Sequence, residues 1–482
     1  MAHALEASGR PQEALAAAWS ALTAAPGSRA AKGLVARLLR DNPDLVTADM
    51  AQSLRGLLAD PQVDPGYIGA AGWRLLLRES ALLRAGIAAD PRDLATWLEH
   101  CGLALDLLRE TFVRNLEVEL PLTALRRWLL LRESWREFPN AVEALATQAV
   151  HNGGAWLIDE AEQARLEADG ETPIAHAYAP LRHDSGSSRD FADPVTGAVA
   201  KQYEGWPYPP WSRIMVSKQG TLPALVKKLD PDGPDNIPVA ADILVAGCGT
   251  GRETAILASH FPDARITAID ISEASLRYGT ERCARMGLRN IEFRPLDLHD
   301  VSALDRRFHA IVSSGVLHHL PDPEKGWGAL ADALVPGGVM RVMLYSRTAR
   351  LRIHAAQKII ADLAQLPVDA DLLRTVRRRL IAQAPGLVAG SLDFYTLAGI
   401  HDLLLHRQEV FFDVPRISAA IARVGLRLLA FSLPTRAKAE RYRAENPADV
   451  LFRDIAAWAE MERREPLLFS QMYDFWCRKP MP

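Results

Sequence analysis

The sequence predicts a chain of class α/β, a doubly wound parallel sheet preceded by an all-helical domain. Three observations carry that reading. At 482 residues the chain exceeds what one hydrophobic core usually serves, so two or three domains are expected. Up to about residue 165 it is rich in Ala and Leu with apolar positions at helical spacing, as in Leu75-Leu-Leu77, Leu82-Leu83 and Trp97-Leu98. From residue 240 the period changes to short apolar runs at 243–246, 266–269, 291–293, 310–312 and 339–342, separated by helical or turn segments, the pattern of strands buried on both faces.

The helical part opens with Gly9, Ala14, Ala21 and Pro26 where a tetratricopeptide repeat places its turn glycine, its two small helix-crossing residues and its terminal proline. The 34-residue period does not extend past Pro43, so either a degenerate helical-repeat scaffold or a plain helical domain is expected. Between about 166 and 200 the chain turns polar, notably at His183-Asp-Ser-Gly-Ser-Ser-Arg189, which reads as a linker. It leads into Lys201-Gln-Tyr203-Glu-Gly-Trp206-Pro-Tyr208-Pro-Pro-Trp211, where prolines exclude regular helix or central strand and the dense aromatics either plug an interface or touch a ligand. The expected division is 1–165 helical, 166–235 linker and aromatic-proline segment, and 236–482 sheet domain with a helical insertion at about 350–415.

Composition narrows the function classes. The chain is 49% hydrophobic and 24% charged, with 56 basic and 59 acidic residues for a net charge of −3, so no global attraction to nucleic acid or to an anionic membrane is indicated. No apolar run reaches the length of a membrane helix and the start lacks a secretory signal, which makes the cytosol the expected location. Cysteines at 101, 248, 283 and 477 form no metal-finger or disulfide spacing.

The first strand runs into Gly247-Cys248-Gly249-Thr-Gly251-Arg252 and then a helical stretch. Such glycines let a loop turn tightly and approach a ligand at a helix N-terminus. A dinucleotide fingerprint needs a third glycine where Arg252 stands, which disfavours a nicotinamide cofactor. Asp270, at the end of the second strand, is placed to accept hydrogen bonds from both hydroxyls of a ribose, and Asp297, after the third, can meet an adenine amino group.

These residues resemble the class I S-adenosylmethionine-dependent methyltransferases. Leu244-Val-Ala-Gly-Cys-Gly-Thr-Gly-Arg252 is similar to the first motif of that family, Ala268-Ile-Asp-Ile-Ser272 to the second and Pro295-Leu-Asp-Leu298 to the third. Phe308 through Asp322, followed by Leu334-Val-Pro-Gly-Gly338, resembles the fourth strand and the turn before the fifth. The resemblance implies a seven-stranded Rossmann-like sheet and S-adenosylmethionine as cofactor, lined by Gly247, Cys248, Gly249, Gly251, Ile271, Leu298 and Ser313, with Asp270 on the ribose and Asp297 on the adenine. The flanks look like a subgroup with a tetratricopeptide-like segment before the methyltransferase domain. There, a Gln-Tyr-Glu-x-x-Pro-Tyr-Pro-x-Trp run resembles Gln202 to Trp211, with Gly205-Trp206 departing from the usual Glu-Asn. Tyr203, Tyr208 and Trp211 are accordingly expected to close over the donor. Residues 424–431 and 472–476 look like the sixth and seventh strands, both expected to run antiparallel.

Candidates for the proton-removing group are His318 and His319, just beyond the fourth strand, and His406. If residues 402–409 are helical, Asp402, His406 and Glu409 share one face, which suits an acceptor pocket better than a metal because the spacing matches no established ligand pattern. No metal is expected. The stretch from Arg347 to Arg379 carries a local excess of basic residues without interleaved aromatics and reads as a solvated helix face rather than a nucleic-acid surface. The expected partner is an unidentified methyl acceptor, a protein or peptide bound by the helical domain being one candidate. The rival readings are a nicotinamide-dependent oxidoreductase and a non-catalytic adaptor.

Overall fold

The computed structural model describes residues 1–178, 193–215, 219–433, 435–469 and 472–482. The polar stretch 183–189 read as a linker lies outside these residues. The chain divides into a helical unit (1–182, 210–217 and 356–405) and a sheet unit (183–209, 218–355 and 406–482). Among the described residues no helix is long and apolar enough to cross a membrane.

In the helical unit the helix Pro11–Ala24 packs between its sequence neighbours, but Arg29–Asp41 then pairs with Gly66–Glu79, and Ala51–Ala59 with Gly102–Glu110, so packing partners skip along the chain. Ala14 and Ala18 are buried whereas Ala21 is exposed, so the second small residue of the expected repeat is not a crossing point. The insertion between the fifth and sixth strands contributes Ala370–Gln383 and Leu397–Leu405 to this same unit. It is joined by a fully buried ion pair: the Arg377 guanidinium bonds both Glu119 carboxylate oxygens and the Phe394 carbonyl. Arg374 donates to the Gly154 carbonyl at 2.8 Å.

The solvated-face reading of the basic stretch is therefore wrong for Arg350, Arg374 and Arg377, which are buried. Each has a carbonyl or carboxylate partner for at least one donor of its fork, which offsets part of the cost of taking a guanidinium out of water. Arg347, Arg352, Lys358 and Arg378 are exposed as expected.

The sheet unit holds seven strands, β1 (Asp242–Ala246), β2 (Arg265–Asp270), β3 (Ile291–Pro295), β4 (Phe308–Ser314), β5 (Leu334–Tyr345), β6 (Arg427–Ser432) and β7 (Met472–Arg478). Their order is β3-β2-β1-β4-β5-β7-β6. Residues alternate between two cores: Leu244, Ala246, Ile311, Met340 and Phe475 face one, Ile243, Val245, Ile266, Ala310 and Trp476 the other. β7 is antiparallel to both β5 and β6, so β6 runs with the other strands and only β7 is reversed, which corrects the expectation for β6. The helix Val414–Arg423 leads into β6 as in any parallel crossover, and the long connection 433–471 allows β7 to return between its neighbours.

A buried carboxylate ties the segment before β1 to β6 and β7. Asp230 accepts from Arg478 at 2.8 Å, from Arg453 at 3.0 Å and from Arg427. Burial pushes its carboxyl upward, but the arginine bonds outweigh this and hold it below the ordinary aspartate value.

Candidate functional site

The carboxyl ends of β1, β2 and β4 form the crevice where open α/β sheets hold ligands. After β1 the backbone N–H groups of Gly247 and Cys248 donate to the Ile269 carbonyl at 2.8 and 2.9 Å, which turns the loop sharply toward β2. Gly249 adopts φ +50°, and a side chain there would meet the Tyr208 carbonyl oxygen at 2.6 Å. A Cβ on Gly247, at φ +71°, would strike Val316 at 2.4 Å. Gly251 and Gly279 allow the loop to approach the helix Glu273–Arg285, the close packing that a third fingerprint glycine supplies elsewhere.

Asp270 is the junction of two loops. It accepts from the Gly249 N–H at 2.7 Å and from the Ser272 N–H at 2.9 Å, one on each carboxylate oxygen. Burial raises its carboxyl above the ordinary value against the pull of these amides. Asp297, one strand over, accepts from the N–H and the ring Nδ1–H of His299 at 2.9 and 2.8 Å. Burial pulls Asp297 upward, yet the His299 bond and charge prevail and its carboxyl lies low, while the same bond raises His299. Leu298 and Cys248 are buried, Ile271 is half-buried, and Ser313 is fully buried with no partner for its hydroxyl. Burial pushes the Cys248 thiol well up, which leaves it inert.

The aromatic-proline segment crosses this crevice as a strap. The helix Pro194–Gly205 starts with Asp193 capping Thr196, and its last turn is tied twice. The Glu204 carboxylate accepts from the Ser272 hydroxyl at 3.0 Å and the Ala274 N–H at 3.1 Å, at the start of the helix after β2. Tyr203 meets His406 Nε2 at 3.2 Å. Beyond it, the Tyr208 carbonyl accepts from the Thr250 N–H at 3.3 Å and the Pro209 carbonyl from the Thr250 hydroxyl. Trp211 is buried and belongs to the segment 210–217, grouped with the helical unit. Glu204 was not among the residues singled out from the sequence, although it is the third residue of the Gln202-Tyr203-Glu204 run.

The three candidate histidines do meet, but in different states. His318 and His319 form one turn after β4, and His319 stacks on His406 with ring centres 3.6 Å apart and planes 21° from parallel. His318 is fully buried, stacks on Tyr345, and uses Nδ1 to accept the Tyr345 N–H at 3.2 Å. Burial, together with the nearby His319, Arg350 and His406, drives its pKa well down. A ring so enclosed is held neutral, with Nδ1 already engaged by the Tyr345 N–H. His319 differs, because its Nδ1–H donates to the Gln408 carbonyl at 2.8 Å, leaving Nε2 as the basic nitrogen. His406 has the opposite tautomer: Nδ1 accepts the Gln408 N–H at 3.1 Å and Nε2–H faces Tyr203. The helix carrying Asp402 ends at Leu405, so Asp402, His406 and Glu409 do not share a helical face; Glu409 instead pairs with buried Arg350.

Residues 243–338 match the family model described as a methyltransferase domain. The uncharacterized protein syc1184_c of Synechococcus sp. (strain ATCC 27144) is 30% identical over 326 residues, 60% of this chain and 73% of that protein. The chain belongs to one family with it. The sheet unit is a class I S-adenosylmethionine-dependent methyltransferase domain, and S-adenosylmethionine is its cofactor. Malonyl-[acyl-carrier protein] O-methyltransferase of Acetivibrio thermocellus is 28% identical over 147 residues, 30% of this chain and 48% of that enzyme, so the chain spans about half of that relative. PKMT2 from Rickettsia typhi, solved in complex with AdoHcy, superposes with a TM-score of 0.41 at 17% identity, over 57% of this chain and 55% of its own. The residues of the crevice fit the cofactor: the glycine cradle leaves no room for a side chain, and two carboxylates stand at successive strand ends.

Proposed function

We propose that this chain methylates an oxygen of its acceptor with His319 as general base, and that the acceptor is a protein or peptide bound by the helical unit in the cytosol. When bound, S-adenosylmethionine supplies a methyl group made electrophilic by its sulfonium. In this reading Asp270 and Asp297 orient the ribose and adenine; Gly247, Cys248, Gly249, Gly251, Ile271, Leu298 and Ser313 line the donor; and Tyr203 and Tyr208 cover it. His319 Nε2 takes the acceptor proton, and His406 fixes the imidazole plane by stacking.

The observation that carries the proposal is the tautomer of His319, held with Nε2 as the accepting nitrogen in the turn after β4, in the sheet that carries the glycine cradle after β1 and ordered carboxylates after β2 and β3. The relative named as an O-methyltransferase supports oxygen as the methylated atom. The test is transfer of label from methyl-labelled S-adenosylmethionine to peptides, proteins and small metabolites, with His319→Ala alongside. A labelled polypeptide ether, the product of methylating a hydroxyl, is expected, with His319→Ala losing about 100-fold in kcat and keeping its affinity for S-adenosylhomocysteine. Unchanged kcat in that variant removes His319 from the chemistry. Labelling of small molecules alone overturns the polypeptide acceptor.

A further inference from the structure

The strap helix carries one residue that neither the fold nor the reaction above has used. Gln202, in its last turn, is 6% exposed, and neither its amide oxygen nor its amide nitrogen has a partner within the chain. Native folds satisfy nearly all buried amides, so one left unanswered at both ends points to a ligand.

Its neighbours say where that ligand lies. Tyr203 reaches His406 and Glu204 holds Ser272, the residue after the Asp270 loop, while Pro209 and Tyr208 hold Thr250 of the glycine loop. At the opposite end of the helix, Asp193 lies close enough to His299, beside Asp297, for their charges to interact. The strap thus runs from the β3 end of the crevice toward the β1 end, and Gln202 lies in the last helical turn before the segment that holds the glycine loop. In the assignment above, adenine lies by Asp297 and ribose by Asp270, which leaves the amino-acid end of the donor for the glycine loop. That end carries a carboxylate and an ammonium on one carbon, one acceptor and one donor, the complement of an amide.

We propose that Gln202 binds the α-amino-acid end of the donor, its NH2 donating to the carboxylate and its carbonyl accepting from the ammonium. This rests on the assignment of the crevice as the donor site. The test titrates S-adenosylhomocysteine and 5′-methylthioadenosine, which lacks the amino-acid end, into the full-length wild type and into Gln202→Met and Gln202→Glu, with a thermal melt of each free protein. Gln202→Met is expected to weaken S-adenosylhomocysteine roughly tenfold or more, to leave 5′-methylthioadenosine unchanged, and to melt no lower than wild type, because it removes an unanswered buried amide. Gln202→Glu, with nearly the same shape, is expected to weaken S-adenosylhomocysteine further by placing a carboxylate against a carboxylate. Equal loss for both ligands, no loss for either, or a lower melting temperature in both variants overturns the proposal in favour of a packing role. A wild type that binds neither ligand overturns the donor-site assignment itself, and the proposal with it.

Discussion

Two buried glutamines, one in each unit, differ in how far their own chain answers them. Gln148 in the helical unit is fully buried and answered at every point: its carbonyl accepts from the Val113 N–H at 2.9 Å, and its NH2 donates to the Leu108 and Thr111 carbonyls at 2.9 and 2.7 Å. Gln202 in the sheet unit is buried and answered at none. The same contrast holds for charge. Glu119 and Arg377 neutralise each other inside the helical unit, whereas the half-buried Asp270 carboxylate accepts from the backbone amides of Gly249 and Ser272. A side chain whose whole hydrogen-bonding capacity is met by its own fold is a structural part. One whose capacity is left open in a crevice is available to a ligand, and its fold bears the cost of keeping it there.

The comparison can be broken at its strongest point first. Glu119→Ala leaves the Arg377 charge buried without a counter-ion and is expected to cost the helical unit about 3–5 kcal/mol in denaturant unfolding; a loss below about 1 kcal/mol would show that the pair is not a structural part. Gln148→Leu, which orphans one N–H and two carbonyls, is expected to cost about 3 kcal/mol in the same measurement. In the sheet unit the effect moves from stability to binding. Asp270→Ala unties the glycine loop from the loop after β2 and is expected to weaken S-adenosylhomocysteine at least about 100-fold, equivalent to about 2.7 kcal/mol, with little change in melting temperature. A collapse in melting temperature instead would place Asp270 with Glu119 rather than with Gln202.

The smallest expected effect concerns pH. His318 is held neutral by burial, so its folded pKa lies below the ordinary 6.5. The unfolded chain therefore takes up a proton that the folded chain refuses, and stability is fully present above pH 6.5 and declines as pH falls below it, with a slope of up to about 1.4 kcal/mol per pH unit. His318→Asn keeps an acceptor for the Tyr345 N–H and is expected to flatten that part of the stability profile. An unchanged acid slope would mean that other groups set it.

Much of the sheet was legible because its cues are local. Short apolar runs preceded β1 through β5 in the right order, and the glycine loop, Asp270 and Asp297 stood at the ends of the strands that carry them. The direction of β6 was not legible, since a short apolar strand reads the same either way along its neighbour, and only the insertion of β7 between β5 and β6 decides it. Nor was the fate of the basic stretch: Arg350 and Arg377 look like surface residues until Glu409 and Glu119, 59 and 258 positions away, come to meet them. The three histidines were singled out in two separate stretches; that they meet, and which of them is basic, depends on the fold, since the partners of each Nδ1 come from β5 and from the chain around Gln408.

What the sequence by itself determined is whatever depends on residue type and short spacing: the change from helical to strand periodicity, the bare backbone of the glycine loop, and carboxylates at two successive strand ends. The tertiary structure alone decided which polar groups are answered and which are not. Gln148 and Gln202 are chemically identical, and the residues next to either in the sequence do not say whether its amide is answered. Hydrogen bonds in a buried site are made to groups from distant parts of the chain, so only the assembled fold reveals that one amide is complete and the other is not.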